Sequence, residues 1–275
     1  MTAFQAPIVT VGCRRSGTTL LRSLMSGHPD LLVHPGEPRY ILGLWRQFGG
    51  IIRNVPAALA YIAAQPNLPD GLTSDDLESA CGGSRQAGLK QLVHCCLQAW
   101  GKDELCGKRI VLKHPALVFH LDLVSELFPD AHVVHVVRDP RAAVSSQLSR
   151  WPHLSTWEAA EWWKDAVRAG RNWQRRGATP YAEVQYEDLV LSPGDALGQL
   201  CQDLGISYDP RMLHLGMNTK LYAPDAPPKP VQFSSPDPSR IMLWSERLSP
   251  IEIRMVEACC HREMAWWGYQ PVAPR

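Results

Sequence analysis

The chain has 275 residues, of which 45% are hydrophobic and 20% charged, and its formal net charge is +1. That length suits one large α/β domain spanning 1–275, and the near-neutral balance removes the electrostatic case for nucleic acid or an anionic membrane as the main partner. No apolar stretch approaches the roughly 20 residues of a membrane span, and the opening MTAFQAP lacks a basic region followed by an apolar run, so the sequence reads as cytoplasmic. The eight cysteines are scattered, with no C-x-x-C among them. They resemble free thiols of a reducing compartment rather than a zinc site or a disulfide framework.

Ile8–Gly12 reads as the first strand, a β-rich apolar run ending in glycine. Gly12 and Gly17 then bracket the G-x-x-x-x-G frame of a phosphate-cradling loop. An ordinary nucleoside triphosphatase continues with Lys and Ser or Thr; this chain has Thr18 and Thr19, and its cation sits inside the loop at Arg15. That lysine normally pairs with the β and γ phosphates of ATP, so its loss points to a different donor. The amides of Arg15 to Thr19 at a helix start form a nest for a tetrahedral oxyanion. Leu20, Leu21, Leu24 and Met25 make one apolar stripe on the following helix, with Arg22, Ser23 and Ser26 off it.

Pro35-Gly36-Glu37-Pro38 is a turn entering a helix with Ile41, Leu44 and Trp45 on one side, broken at Gly49-Gly50. From Ile51 to about Lys90, prolines and glycines indicate short helices in an insertion, where α/β enzymes often hold a substrate cap. A helix covers Gln91–Trp100, a strand Arg109–Lys113 and a helix Leu117–Phe128. Ala131–Val137 is apolar enough to be a strand buried on both faces, where His132 and His135 read as structural. Pro140–Arg150 is a helix with Pro at its first position. Ser155 and Glu158 make a capping box for a helix striped by Trp162, Ala166, Ala169 and Trp173. Tyr181–Gln185 is a strand, Ser192–Leu204 a helix ended by Gly205, Tyr222–Ser239 a Pro-rich loop, and Pro250 to Trp266 the last helix. Strands alternating with helices predict a three-layer α/β sandwich of P-loop NTPase type. Its central, mainly parallel sheet is flanked by helices, with the ligand at the carboxyl ends of the strands.

The strand at 131–137 ends in Arg138-Asp139-Pro140-Arg141, and Ser146 lies about two helical turns beyond Arg138. That segment alone fits equally a second phosphate clamp or a salt-bridged turn. Taken together, IVTVGCRRSGTTLLRSLMSGHPD, VVHVVRDPRAAVSS and VQYEDLV resemble the sulfotransferases that use 3′-phosphoadenosine 5′-phosphosulfate. The likeness is to the branch containing tyrosylprotein sulfotransferases and bacterial small-molecule sulfotransferases, and it runs in order from Ile8 to Trp266. It implies a 5′-phosphosulfate loop at Arg14, Arg15, Ser16, Gly17, Thr18 and Thr19, and a 3′-phosphate motif at Arg138 and Ser146. It implies an adenine-contacting tyrosine at Tyr186, a general base at Glu37 in Gly36-Glu37, and a lysine beside the transferred group at Lys113. His114 is the alternative base. RIMLWSERLSP departs from the family's Gly-Arg-Trp, so Arg240 and Lys229 both stand as the cation completing the 3′-phosphate site.

The chemistry agrees with these residue types. A donor with two anionic ends needs two anion sites, which ATP does not. In-line transfer is mostly positioning and charge stabilisation, here by Arg15 and Lys113 on the leaving oxygen, with no metal invoked. The acceptor hydroxyl gives its proton to a carboxylate or imidazole. The expected products are a sulfated acceptor and adenosine 3′,5′-bisphosphate. The acceptor is expected to be a hydroxyl-bearing small molecule, with a protein tyrosine as the other possibility, and the aromatic residues near 151–173 suggest an apolar pocket for it. Two competing readings are a P-loop kinase with a degenerate loop and a non-catalytic nucleotide-binding protein of the same fold.

Overall fold

The computed structural model describes residues 5–65, 73–80, 82, 85–214 and 236–272. In chain order, β1 (Gln5–Gly12) leads through the glycine loop into α1 (Thr18–Met25), β2 (Leu31–Val33) and α2 (Tyr40–Phe48). An excursion follows with β3 (Ile51–Ile52), α3 (Val55–Ala63), α4 (Ser74–Ala80) and β4 (Ala87–Gly88). The chain returns through α5 (Leu89–Gly101), β5 (Arg109–Lys113), α6 (Leu121–Leu127), β6 (His132–Val137), α7 (Pro140–Arg150) and α8 (Thr156–Arg176). It ends with β7 (Tyr181–Gln185), α9 (Tyr186–Leu191), α10 (Pro193–Leu204), α11 (Ser239–Met242), α12 (Trp244–Arg247) and α13 (Pro250–Trp266).

Five strands form one parallel sheet in the order β2-β5-β1-β6-β7. Alternation along each strand feeds two separate cores. Val9 and Val11 of β1, Ile110 and Leu112 of β5, and Val133 and Val137 of β6 join the core under α5, α6, α7, α8 and α13. Ile8, Val111, Val134 and Val136 point the other way, into the core under α1, α9 and α10. Both faces are covered, which is why these strands read as near-continuous apolar runs. The result is the expected three-layer architecture. The chain first builds outward from β1 on the β5 side and later on the β6 side, so the crevice at the carboxyl end of β1 is the switch point where such sheets bind ligands.

Local signals explain the best-predicted elements. Pro140 opens α7 with Asp139 accepting from the Arg141 amide. Ser155 and Glu158 form the expected reciprocal capping box, and Ser249 and Glu252 form a second one at α13.

Several expectations change. The helix expected over Leu117–Phe128 is a 3₁₀ turn, Pro115–Phe119, followed by α6, because His120 takes a non-helical conformation between them. The edge strand β2 went unread; three residues are too few for periodicity to register. The insertion holds helices, as expected, but β3 and β4 also pair antiparallel to close its base. The Tyr-Glu-Asp segment, given no element from the sequence, opens a short helix, α9. The buried stripe of α8 runs through Ala159, Trp163, Ala166, Val167, Gly170 and Trp173, rotated so that Trp162 and Ala169 lie at its edge. On α1, Arg22, Ser23 and Ser26 are buried with the leucines, because the helix is covered on its outer side as well. Of the expected Pro-rich loop, 222–235, with Lys229, lies outside the described residues; Ser239 already belongs to α11.

Candidate active site

A cavity of about 1310 Å³ opens at the carboxyl ends of the parallel strands. The segment after β1 contributes Arg14, Arg15, Gly17, Thr18 and Thr19; that after β2 contributes Glu37; β5 and its end contribute Lys113 and His114. Arg138 follows β6, Ser146 lies on α7, Tyr186 follows β7, and Arg240 lies on α11. Ser16 belongs to the same loop but is buried behind the cavity wall.

The loop after β1 has a backbone form that can accept an anion. Arg15 has φ +68°, making it the single non-glycine residue with positive φ among the described residues, and Gly17 has φ +97°. A left-handed arginine is strained, at a cost of order 1–3 kcal/mol, and such strain clusters at ligand clamps. The Ser16 amide donates to the Cys13 carbonyl at 3.3 Å, closing the turn, while the first amides of α1 have no intrahelical acceptor. Gly17 also has no room for a side chain, since a Cβ there would overlap the Tyr186 ring.

A second cluster is contiguous with the loop. Arg15 donates from Nε to Ser146 Oγ at 3.0 Å. Arg138 donates to the Arg15 carbonyl at 3.1 Å and to the Arg240 carbonyl at 2.6 Å. Its guanidinium lies 4.0 Å from the Tyr186 ring centroid, a cation–π contact. The buried Arg138 Nε has no hydrogen-bond partner and is a donor a ligand in the cavity could satisfy, whereas the Ser16 hydroxyl faces Cys13 behind the wall. The rival salt-bridged turn is present as well, but it uses the neighbouring arginine: Arg141 pairs with Asp139 at 2.6 Å and with Glu257 at 2.7 Å. Arg138 is thereby left for the cavity.

Glu37 and Lys113 form a buried ion pair, with Arg39 Nε 3.3 Å from the same carboxylate. Burial works to raise the pKa of Glu37, but the Lys113 charge and hydrogen bond, with help from His114 and Arg39, hold it well below the usual carboxylate range. Burial lowers Lys113, outweighing the attraction of Glu37. His114 is pushed down to about 4, chiefly by burial, and its Nδ1 has no partner. Both candidate bases therefore stand unprotonated at neutral pH.

The residues read from the sequence are thus brought to one cavity, with Ser16 behind its wall. Arg14 is directed differently from Arg15: its guanidinium stacks 4.7 Å from the Trp162 ring and 5.5 Å from Trp151. Those are the two tryptophans of the 151–173 region that line the cavity; Trp163 and Trp173 are core residues and Trp157 is exposed. Two tryptophans of that region thus line the cavity, with the Arg14 guanidinium beside both rings. Arg39, Arg46, Tyr61 and Gln65 also face the cavity and went unread. Arg39 had a signal, lying two residues after Glu37; the others depend on how α2 and α3 pack. Arg22 also went unread: fully buried on α1, it is coupled electrostatically to Glu37.

The sulfotransferase family profile matches residues 7–210 of the chain. A protein-tyrosine sulfotransferase of Drosophila melanogaster is 26% identical over 218 residues, covering 76% of this chain and 40% of that protein. The omega-hydroxy-beta-dihydromenaquinone-9 sulfotransferase Stf3 of Mycobacterium bovis is 24% identical over 262 residues, covering 75% of this chain and 65% of that protein. The chain spans about half the length of the curated relatives it matches. Among solved structures, the sulfotransferase domain from the curacin biosynthetic pathway superposes with a TM-score of 0.71 over 98% of this chain and 100% of that one, at 18% identity. Among the described residues, no helix is long and apolar enough to cross a membrane.

Proposed function

The chain belongs to the sulfotransferase family, and from that premise we propose that it moves a sulfuryl group from 3′-phosphoadenosine 5′-phosphosulfate to a hydroxyl acceptor by in-line displacement. The observation that carries this reading is the joining of two anion clusters through Arg15. Its loop is a nest for one tetrahedral group, and its carbonyl and Nε meet Arg138 and Ser146 of the other cluster.

In this reading the loop amides, Thr18, Thr19 and Arg15 hold the phosphosulfate. Arg138 and Ser146 hold the 3′-phosphate, with Arg240 as the described C-terminal cation, and Tyr186 flanks the adenine. Glu37 takes the proton of the acceptor hydroxyl. Before the donor arrives, Lys113 neutralises Glu37 and keeps it a weak base. The anionic donor draws Lys113 toward the bridging oxygen, where negative charge grows as the S–O bond breaks. Glu37, relieved of that partner inside a buried site, then becomes a stronger base. His114 remains the alternative base, since it is neutral and beside the same pair.

The test is calorimetric titration with adenosine 3′,5′-bisphosphate against ADP, ATP and AMP, without magnesium. Clear preference for the bisphosphate is the expected outcome. Equal or tighter binding of ATP, especially if magnesium strengthens it, would overturn the reading in favour of a kinase. Bisphosphate binding with no sulfuryl transfer to any hydroxyl acceptor would leave a non-catalytic binding protein.

A further inference from the structure

The donor scheme uses Arg15, Lys113, Arg138 and Arg240. It leaves one face of α2 unexplained. Arg39, Leu42, Gly43 and Arg46 all line the cavity, and their spacing of i, i+3, i+4, i+7 places them on a single side of the helix. Arg39, just before α2, already has helical backbone angles, so the register holds from that residue onward.

This face is a graded surface. At its start lies the Glu37–Lys113 pair, with Arg39 against the carboxylate. Its middle is apolar: Leu42, and the ring of Tyr61, which lies so close to Gly43 that a Cβ there would collide with the tyrosine hydroxyl. At its far end stands Arg46, exposed and, among the described residues, with no carboxylate partner. The seven-residue step from Arg39 to Arg46 covers about 10 Å along the axis. A surface with a base at one end, an apolar stretch, and an unmatched guanidinium at the other suits one kind of molecule.

Resting on the sulfotransferase reading, we propose that the face Arg39–Leu42–Gly43–Arg46, with Tyr61, is the acceptor subsite. Its ligand is a small hydroxylated molecule whose apolar body separates the reacting hydroxyl from a carboxylate or phosphate by about 10 Å. The hydroxyl sits at Glu37, the body lies over Leu42 and Tyr61, and the anion meets Arg46. Transfer forms the bond from the acceptor oxygen to sulfur and breaks the bond from sulfur to the bridging oxygen. The hydroxyl proton goes to the base, and adenosine 3′,5′-bisphosphate leaves.

The experiment measures kcat/KM, with the sulfate donor saturating, for straight-chain ω-hydroxy carboxylates of increasing length, each beside its primary amide and its phosphate monoester counterpart. The carboxylate or the phosphate series is expected to peak where hydroxyl and anion are about 10 Å apart, and to exceed the amide there by about 10- to 100-fold, the scale of a charge-assisted hydrogen bond. Comparing the two anionic series identifies which anion is preferred. In Arg46→Gln the preference is expected to collapse through KM, while calorimetric affinity for adenosine 3′,5′-bisphosphate matches wild type. Arg46→Glu is expected to reverse it toward ω-hydroxyalkylamines. Equal rates for acids and amides, a preference that survives Arg46→Gln, or turnover confined to acidic tyrosyl peptides would each overturn the proposal. Failure to bind the bisphosphate at all would instead overturn the sulfotransferase reading beneath it.

Discussion

Glu37, Lys113 and His114 pose the sharpest question at the level of single residues. Because Glu37 is held low by Lys113 and His114 is lowered by burial, a pH profile near neutrality will not separate them as bases. Substitution will. Glu37→Gln keeps the shape of the side chain and removes its basicity. It is expected to lower kcat by about 10²–10⁴-fold, the usual contribution of a general base, with calorimetric affinity for adenosine 3′,5′-bisphosphate retained. His114→Ala is expected to retain most of kcat. The opposite pattern, a dead His114→Ala beside an active Glu37→Gln, would transfer the role to the histidine. Arg138 is separable by ligand: if it holds the 3′-phosphate, Arg138→Ala should weaken the 3′-phosphorylated nucleotide far more than AMP, which has no 3′-phosphate. A uniform loss across both nucleotides in parallel titrations would mean that Arg138 acts on the loop through the Arg15 carbonyl instead.

Two elements hold the clamp in place, and each can be probed without touching a charged group. The start of α1 has no tolerance for a side chain at Gly17, where both the positive φ and the Tyr186 ring oppose it. Gly17→Ala is expected to cost about 1–3 kcal/mol in denaturant unfolding and to displace Tyr186, reducing bisphosphate affinity. Helix α8 reaches the site from the core side: Trp163, fully buried, donates from Nε1 to the Arg138 carbonyl at 2.9 Å. Trp163→Phe leaves that carbonyl without its partner. The expected loss is about 1–3 kcal/mol of stability, with weaker bisphosphate binding as the sign that strand end and clamp move together. Unchanged nucleotide affinity in a destabilised Trp163→Phe would limit the tryptophan to packing.

Across the whole molecule, buried histidines couple folding to pH. Burial lowers His34 and His114 to about 4 and His135 to about 3, from an ordinary 6.5. As pH falls from 6.5 toward 4, the unfolded chain takes up protons that the folded chain refuses. The unfolded state then binds more protons, so stability falls with pH through that window, by several kcal/mol in total. Glu37 adds its share lower down: its folded pKa is depressed, so its contribution is present above the ordinary carboxylate range and is lost as pH drops through the folded value. A melting temperature that stays flat from pH 6.5 to 4.5 would contradict this assignment. His135 shows why such groups are tolerated, since its Nδ1 is 2.7 Å from the Tyr181 hydroxyl in a packed, non-catalytic setting.

The sequence by itself determined what is written in short-range chemistry. The strand–glycine–helix passage at 8–21, the Pro140 and Ser155 helix starts, the apolar strand at 109–113 and the alternating one at 181–185 are each set by neighbours within a few residues. Period and capping therefore suffice to read them. Arg15 was legible from the glycine loop after β1 and Arg138 from the end of the apolar strand β6, while Glu37, Lys113 and Tyr186 were reached only through the family resemblance, Glu37 following a strand too short to read. What lay beyond that reach was contact between segments distant in sequence. The burial of Arg22, the turn of Arg14 onto Trp151 and Trp162, the pairing of β2 with β5, and the graded face of α2 against Tyr61 depend on how separate elements pack. Helical period predicts only that one side of α2 is shared; the packing of α3 against it decided that this side is the wall of the cavity.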